Sequence, residues 1–435
     1  MTVSIFLLVL GGLIVLGFVG SFFFEKTKIP NPVILMAVGI VLGPATGWIK
    51  SDALLVVAPY FGTVALILIM FEGGLELEFE LALKQFKTAM LLGLLYFVLA
   101  VGAVTLVVNM LLDAPLPVAL LYGFILGGTS PAVIFPMLSK MRIGKTLKTL
   151  LSLETALTEV LTVVSVVLAF DVLKEPKSAS MGAVVGHIVT SVVVSFAIAL
   201  AAGVVWSRFL GVFSKTPLSY MLTLGFVMIL YAIAEMLGGD AAITVLFFGM
   251  ILGNASWLAS KTIPKLQAIT NLDVKEAQFE IDEVIKNINA ELSFLIRTYF
   301  FAFMGLLIDF STISEPIALA AAALLAAMVF LRWASVKIIM PLSEALRQTH
   351  SSASVAMLPR GLACAVMALV AMQTGIAGLE QLLPVVFCII LFTNLIAAAL
   401  VFYYESRHAT PNDSTNAAEN IEPVNVEASD ASPRR

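Results

Sequence analysis

The sequence predicts an all-α, polytopic membrane protein with about thirteen transmembrane helices, on two observations. Apolar residues make up 60% of the 435-residue chain, charged residues 12%, and mean hydropathy is +1.03. Soluble domains carry roughly 45–50% apolar and about 25% charged residues, so this excess has no aqueous surface to occupy. The apolar residues also collect into runs of the roughly 20 residues that a helix needs to cross a bilayer. Those runs are too long and too uniform for the alternating strands of a membrane barrel, each of about 10 residues. A soluble enzyme, a disordered chain and a basic nucleic-acid binder are excluded on the same grounds. The two cysteines, Cys364 and Cys388, sit in apolar stretches and form neither a disulfide framework nor a CxxC metal site. No compositional signal calls for a cofactor.

In order, the spans run 4–24, 31–49, 55–75, 88–111, 117–139, 148–173, 181–207, 218–236, 239–258, 290–311, 315–341, 348–374 and 380–404. The first lacks a basic leader and a small-residue cleavage site, so it is read as a span and not as a signal peptide. The transmembrane unit covers 1–405. Residues 260–289 mix charge with apolar spacing and read as an amphipathic cytoplasmic linker. The tail 406–435 is polar, without periodicity, and is expected to be disordered.

Basic residues orient the chain. Odd-numbered loops hold Lys26, Lys28, Lys84, Lys87, Lys140, Arg142, Lys145, Lys148, Arg208, Lys215, Lys261, Lys265, Lys275, Lys286 and Arg347, against Lys50, Lys174 and Lys177 in even ones. The odd loops are therefore expected in the cytoplasm, with the N-terminus outside and the C-terminus inside. A bacterial inner membrane or other plasma membrane is the expected location.

A repeat runs through the hydropathy. Gly74-Leu75-Glu76-Leu77-Glu78-Phe79 closes the third span, and Gly305-Leu306-Leu307-Ile308-Asp309-Phe310 closes the tenth. An offset of seven spans is odd, so the two copies are inverted. Two spans further on, each half is interrupted: the fifth by Gly127-Gly128-Thr129-Ser130-Pro131, the twelfth by Leu358-Pro359-Arg360-Gly361. Inverted repeats with broken helices in matching places point to the site of a secondary transporter.

Charges inside the membrane cost at least roughly 2.5–3.5 kcal/mol each, so each calls for a reason. The sixth span carries Glu154-Thr155-Ala156-Leu157-Thr158-Glu159. At about 100° per residue the two acids and two threonines share less than half the helix circumference. Hard cations take oxygen ligands, and the expected set is the Glu159 carboxylate, the Thr155 and Thr158 hydroxyls, and the unwound Thr129–Ser130 segment. Arg360 needs a partner, and Glu154 is the economical choice, forming a structural ion pair. Glu159 then remains as the carboxylate that holds a proton or a monovalent cation in turn. Since it cannot cross bare, the expected activity is exchange, with no net charge moved per cycle. Glu72 lines an access funnel or only marks the membrane edge. Glu291 and Arg297 read as a structural pair, Arg332 and Lys337 as snorkelling groups of which one could face the core, and His187 as an interior histidine.

These residues resemble the monovalent cation:proton antiporter superfamily, on the NhaP-like sodium/proton exchanger side, from about residue 5 to 404. The marks are Phe71-Glu72-Gly73-Gly74-Leu75, Thr129-Ser130-Pro131-Ala132, Glu154 through Glu159, Phe247 through Asn254, Phe294 through Phe301, and Pro359-Arg360-Gly361-Leu362. The resemblance implies a homodimer whose core moves against a dimerisation domain in elevator fashion. It also implies an essential carboxylate at Glu159 and a structural pair of Glu154 with Arg360. The chain departs from that pattern in having Thr158-Glu159 for the usual Asn-Asp and Thr129-Ser130-Pro131 for Thr-Asp-Pro. Both changes bear on which ion is preferred. Sodium is the first expectation, with potassium as the alternative and lithium as a further substrate. An uncoupled channel or sensor of the same fold is the remaining reading. No Ser/Lys, HExxH or paired-Asp constellation of an intramembrane enzyme is present.

Overall fold

The computed structural model describes residues 11–19, 31–47, 58–174, 181–213, 219–254, 283–308, 310–348 and 351–408. All regular structure among them is helical. The elements are α1 (11–19), α2 (Asn31–Ile40, prolonged by a π-turn Val41–Ala45), α3 (Ala58–Glu76), α4 (Phe79–Leu111), α5 (Leu116–Gly127) and α6 (Pro131–Lys140). Then follow α7 (Lys145–Lys174), α8 (Met181–Phe213), α9 (Ser219–Met236), α10 (Ala241–Gly253) and α11 (Glu283–Leu306). The described residues close with α12 (Glu315–Ile339), α13 (Glu344–Gln348), α14 (Ser351–Val355), α15 (Leu362–Gln373) and α16 (Leu382–His408). Hydrocarbon offers no partner to a backbone N–H or C=O, so long apolar runs fold as helices that bond internally.

Among the described residues five stretches are long and apolar enough to cross a membrane: Phe79–Leu111, Leu116–Lys140, Lys145–Phe170, Glu315–Leu342 and Leu382–Arg407. Six shorter apolar helices accompany them among the described residues. The expectation of thirteen spans reaches onto residues outside that set. So do most of the 260–289 linker, the tail beyond His408, Asp309 and the His187 side chain. α11 begins at Glu283, within the last turns of the 260–289 stretch. α4 likewise starts nine residues ahead of the expected span, at Phe79. Glu80 and Lys84, one turn apart and 2.7 Å from each other, ride on its projecting end.

Both expected interruptions are present, for the same local reason. Proline cannot donate a backbone bond and pushes the residue before it out of the helical region. Ser130, ahead of Pro131, has φ −101° and ψ 111°. α5 and α6 therefore form one crossing with an unwound centre, as do α14 and α15 around Ala356–Gly361.

The packing also repeats with the seven-span offset. α3 lies against α10 so closely that a Cβ at Gly74 would meet the Leu246 carbonyl, and Gly249 stacks on Gly74. In the other half α11 lies against α2, where a Cβ at Gly305 would collide with the Met36 carbonyl and one at Gly39 with that of Ala302. Spans three and nine of one contact map onto spans ten and two of the other. Glycine is required at both seams because the backbones themselves touch. Asn254 fastens the first seam, donating to the Leu77 carbonyl at 2.7 Å and accepting from the Phe79 N–H at 3.0 Å. Gly305→Val should cost about 1–3 kcal/mol through overpacking and lower the thermal midpoint in detergent. Gly225→Ala, where an added Cβ meets open space, should leave the midpoint unchanged or raise it.

Candidate functional site

The two unwound segments meet inside the bundle. The Ser130 N–H donates to the Pro359 carbonyl at 2.9 Å, a main-chain bond from one break to the other. Each half-helix leaves orphan carbonyls at its C-terminal end, which carries the negative end of its dipole.

Arg360 serves those carbonyls. Fully buried, it donates to Leu126 O at 2.9 Å, Gly127 O at 3.4 Å and Leu358 O at 2.6 Å, and to the Tyr96 hydroxyl at 2.9 Å. This corrects the expected Glu154–Arg360 pair. Glu154 is instead held by Arg332 of α12 in a bidentate bridge, with Nη1 to Oε1 at 2.6 Å and Nη2 to Oε2 at 2.8 Å. Arg332 Nε also donates to the Ser354 carbonyl at 3.0 Å, at the end of α14. Each arginine thus closes one broken helix. Only one of them is left with its fork free for a carboxylate, and planar two-point pairing suits that fork. Tyr96 lies between them, its ring centroid 5.1 Å from the Arg332 guanidinium carbon and 5.3 Å from that of Arg360.

The polar face of α7 meets the breaks as expected. Glu154, Thr155 and Thr158 are fully buried and Glu159 is 2% exposed. Thr158 acts as a brace: its hydroxyl accepts from the Thr129 N–H at 3.2 Å, shares a bond of 2.9 Å with the Thr129 hydroxyl, and donates to the Thr155 carbonyl at 3.0 Å. Its hydrogen-bonding capacity is thereby taken, contrary to the expectation that it offers a ligand oxygen. Other oxygens are unused. Both carboxylate oxygens of Glu159, with Thr155 Oγ1, Ser130 Oγ and Thr162 Oγ1, are buried and have no hydrogen-bond partner among the described residues. Burying such groups unpaired costs several kcal/mol for a charge, of order 1–3 kcal/mol for a hydroxyl. Oxygen-only chemistry of this kind suits a hard monovalent cation.

Two chambers lie along α7 on either side of the level of Glu159, which itself lines neither. One, of about 280 Å³, is lined by Gly73, Phe135, Lys145, Lys148, Thr149 and Ser152 among others. The second, of about 270 Å³, includes Val163 and Val167 of α7, Tyr231, Glu235, Asp240 and Leu362. On α7 the positions 145, 148, 149, 152, 159, 163 and 167 fall within an arc of about 100°. Glu159 therefore lies on the stripe that both chambers border, about 10 Å along the axis from Ser152 and about 6 Å from Val163.

Glu72 Oε2 is 3.6 Å from Arg297 Nη1, with both side chains largely buried. Arg297 accordingly faces Glu72, not the expected Glu291, which lies on the exposed side of α11. Of the pair left open in the eleventh span, Arg332 faces the core and Lys337 is exposed. Sequence reasoning passed over Asp240, which is 6% exposed at the start of α10. The signal was a lone acid after Gly238-Gly239 inside an apolar run. It also passed over Tyr96, which looks like any aromatic in a span.

Crossed half-helices around an unpaired, buried carboxylate define the broken-helix class of polytopic membrane proteins, the architecture in which secondary transporters hold their substrates. Within that class the chain belongs to the family described as "Sodium/hydrogen exchanger, transmembrane", whose model matches residues 6–403. It is 30% identical over 158 residues to Na(+)/H(+) antiporter 1 of Methanocaldococcus jannaschii, a match spanning 36% of this chain and only 37% of that protein. In structure it is similar to the sodium proton antiporter MjNhaP1 from the same organism at pH 8, with TM-score 0.71 and 22% identity over 92% of this chain and all of that one. A second structure of MjNhaP1, an electron-microscopy map, gives TM-score 0.68 and 21% identity with full coverage of both chains. At these identities the likeness to the solved structures is one of fold.

Arg332→Ala should be destabilising by about 3–5 kcal/mol, because it leaves Glu154 buried and unpaired. The double variant Arg332→Met/Glu154→Leu should be more stable than Arg332→Ala, as read from thermal midpoints in detergent.

Proposed function

We propose that the protein is a secondary antiporter that exchanges a monovalent cation, sodium in the first place, for a proton at Glu159. The observation that carries this reading is that both Glu159 oxygens are buried beside the crossed breaks with no hydrogen-bond partner among the described residues. A bare carboxylate in such a place is strongly disfavoured. The group is stable protonated, or with a cation that also takes Thr155 Oγ1, Ser130 Oγ and carbonyl oxygens of the Thr129–Ser130 break. Either passenger neutralises it, and the two compete for the same oxygens.

Coupling follows from that competition. With Glu159 bare, the core would carry an uncompensated charge through the low-dielectric barrier, so it moves only when loaded. One proton out for one cation in leaves no net charge moved, and the expected exchange is electroneutral and one-for-one. Arg332 and Arg360 are committed to Glu154, Tyr96 and backbone carbonyls, so neither neutralises Glu159 in place of its passenger. The chambers on either side of Glu159 support alternate access from the two membrane faces. This reading includes a homodimer, elevator motion of the core, a transmembrane unit of residues 1–405, a cytoplasmic tail, and an N-terminus outside. Potassium in place of sodium is the alternative substrate.

In proteoliposomes, an imposed sodium gradient should drive proton movement in the opposite direction, and Glu159→Gln should abolish it while the protein still inserts. Residual coupled exchange in Glu159→Gln would overturn the assignment. Clamping the potential with valinomycin should leave the rate unchanged, and separate gradients of sodium, potassium and lithium rank the substrates.

A further inference from the structure

One buried acid has no part in the exchange just described. Asp240 caps α10, its Oδ1 accepting from the Ile243 N–H at 2.8 Å. Its main chain is held by Ser195, whose hydroxyl accepts from the Asp240 N–H at 2.7 Å and shares its proton between the carbonyls of Ser191 at 2.7 Å and Asp240 at 2.9 Å. Serine or asparagine caps a helix as well as aspartate does, and a charge inside an apolar bundle is costly. The capping role alone therefore does not account for an acid here.

The charge borders the chamber of about 270 Å³ beyond Glu159. Glu235 stands on its exposed side and Asp240 on its buried side. Tyr231 lines the chamber together with both acids. Val163, one turn beyond Glu159 on α7, lines the same space. No basic side chain lines it among the described residues. The chamber on the other side differs, being bordered by Lys145 and Lys148 as well as Glu78.

Resting on the proposed exchange at Glu159, we infer that Asp240 is a staging carboxylate: it draws the monovalent cation into this chamber and passes it to Glu159, from one face of the membrane only. A cleft lined by one sign of charge with apolar walls concentrates counter-ions, with effects on capture of about tenfold or more. Glu235 extends the acidic line to the surface, and the Tyr231 hydroxyl supplies a neutral oxygen between the acids.

The test separates charge from capping. Asp240→Asn keeps an acceptor for the Ile243 N–H and removes the charge. Sodium-driven proton flux is measured in right-side-out and inside-out vesicles at varied sodium. Asp240→Asn should raise the KM for sodium about tenfold on the face this chamber opens to and less than twofold on the other, with the maximal rate nearly preserved. An unchanged KM, or an equal rise on both faces, would overturn the inference. Should Asp240→Asn fail to insert, Glu235→Gln on the exposed rim decides: a smaller rise confined to the same face supports it, and no rise sinks it. Wild type and Glu159→Gln in the same vesicles test the exchange reading independently. If wild type shows no exchange, that reading fails; if it exchanges normally and Asp240→Asn matches it, only the staging role fails.

Discussion

A carboxylate in a low-dielectric interior has to be neutralised by something, and α7 carries two that are treated in opposite ways. Glu154 is permanently matched by Arg332 in a two-point bridge. Glu159, little more than one turn away on the same helix, is given nothing. The contrast separates a structural charge from one left for an exchangeable partner. Everything else about the site, including the crossed breaks and the flanking chambers, can be seen as a way of keeping Glu159 buried, oxygen-rich and unmatched.

The breaks create a second electrostatic problem, which the two buried arginines solve. Unwinding a helix mid-membrane exposes carbonyls with no water to receive them. Arg360 takes those at the end of α5, and Arg332 takes one at the end of α14. Tyr96 lies against both guanidinium groups and accepts from Arg360. Positive charge is thus spent on main-chain dipoles and on Glu154. Thr158 closes the remaining gap by accepting the Thr129 N–H. The unpaired oxygens of Glu159, Thr155 and Ser130 are what is left over once the backbone has been satisfied.

Much of this was legible in the sequence. Hydropathy found the long apolar helices among the described residues, proline and glycine placed both breaks, and the 100° helical period put Glu154, Thr155, Thr158 and Glu159 on a common face. The pairing of the arginines was not legible. Sequence spacing says which groups need partners, but Arg360 has carbonyls from its own break and from α5 within reach, and these outcompete a carboxylate on α7. Sequence left open which of Arg332 and Lys337, both late in a span, faces the core, and the rotation of α12 turns Arg332 inward. Asp240 was missed because it stands at the very start of the ninth span, where a lone acid draws no attention as an intramembrane charge. The role of Thr158 was misjudged because an orphan N–H in the neighbouring break cannot be seen from α7 alone.

The bond from the Ser130 N–H to the Pro359 carbonyl also has a bearing on biosynthesis. The donor, and the carbonyls of Leu126 and Gly127, are translated long before their partners; Arg360 follows Leu126 by 234 residues. While the ribosome is still making the second half, the first half sits in the bilayer with an unwound centre and unmet polar groups. Its fifth crossing is therefore a provisional insertion that becomes permanent only when the later half arrives. Nascent chains truncated before residue 360 would present to the membrane's quality-control proteases an unfinished helix that the full-length protein conceals.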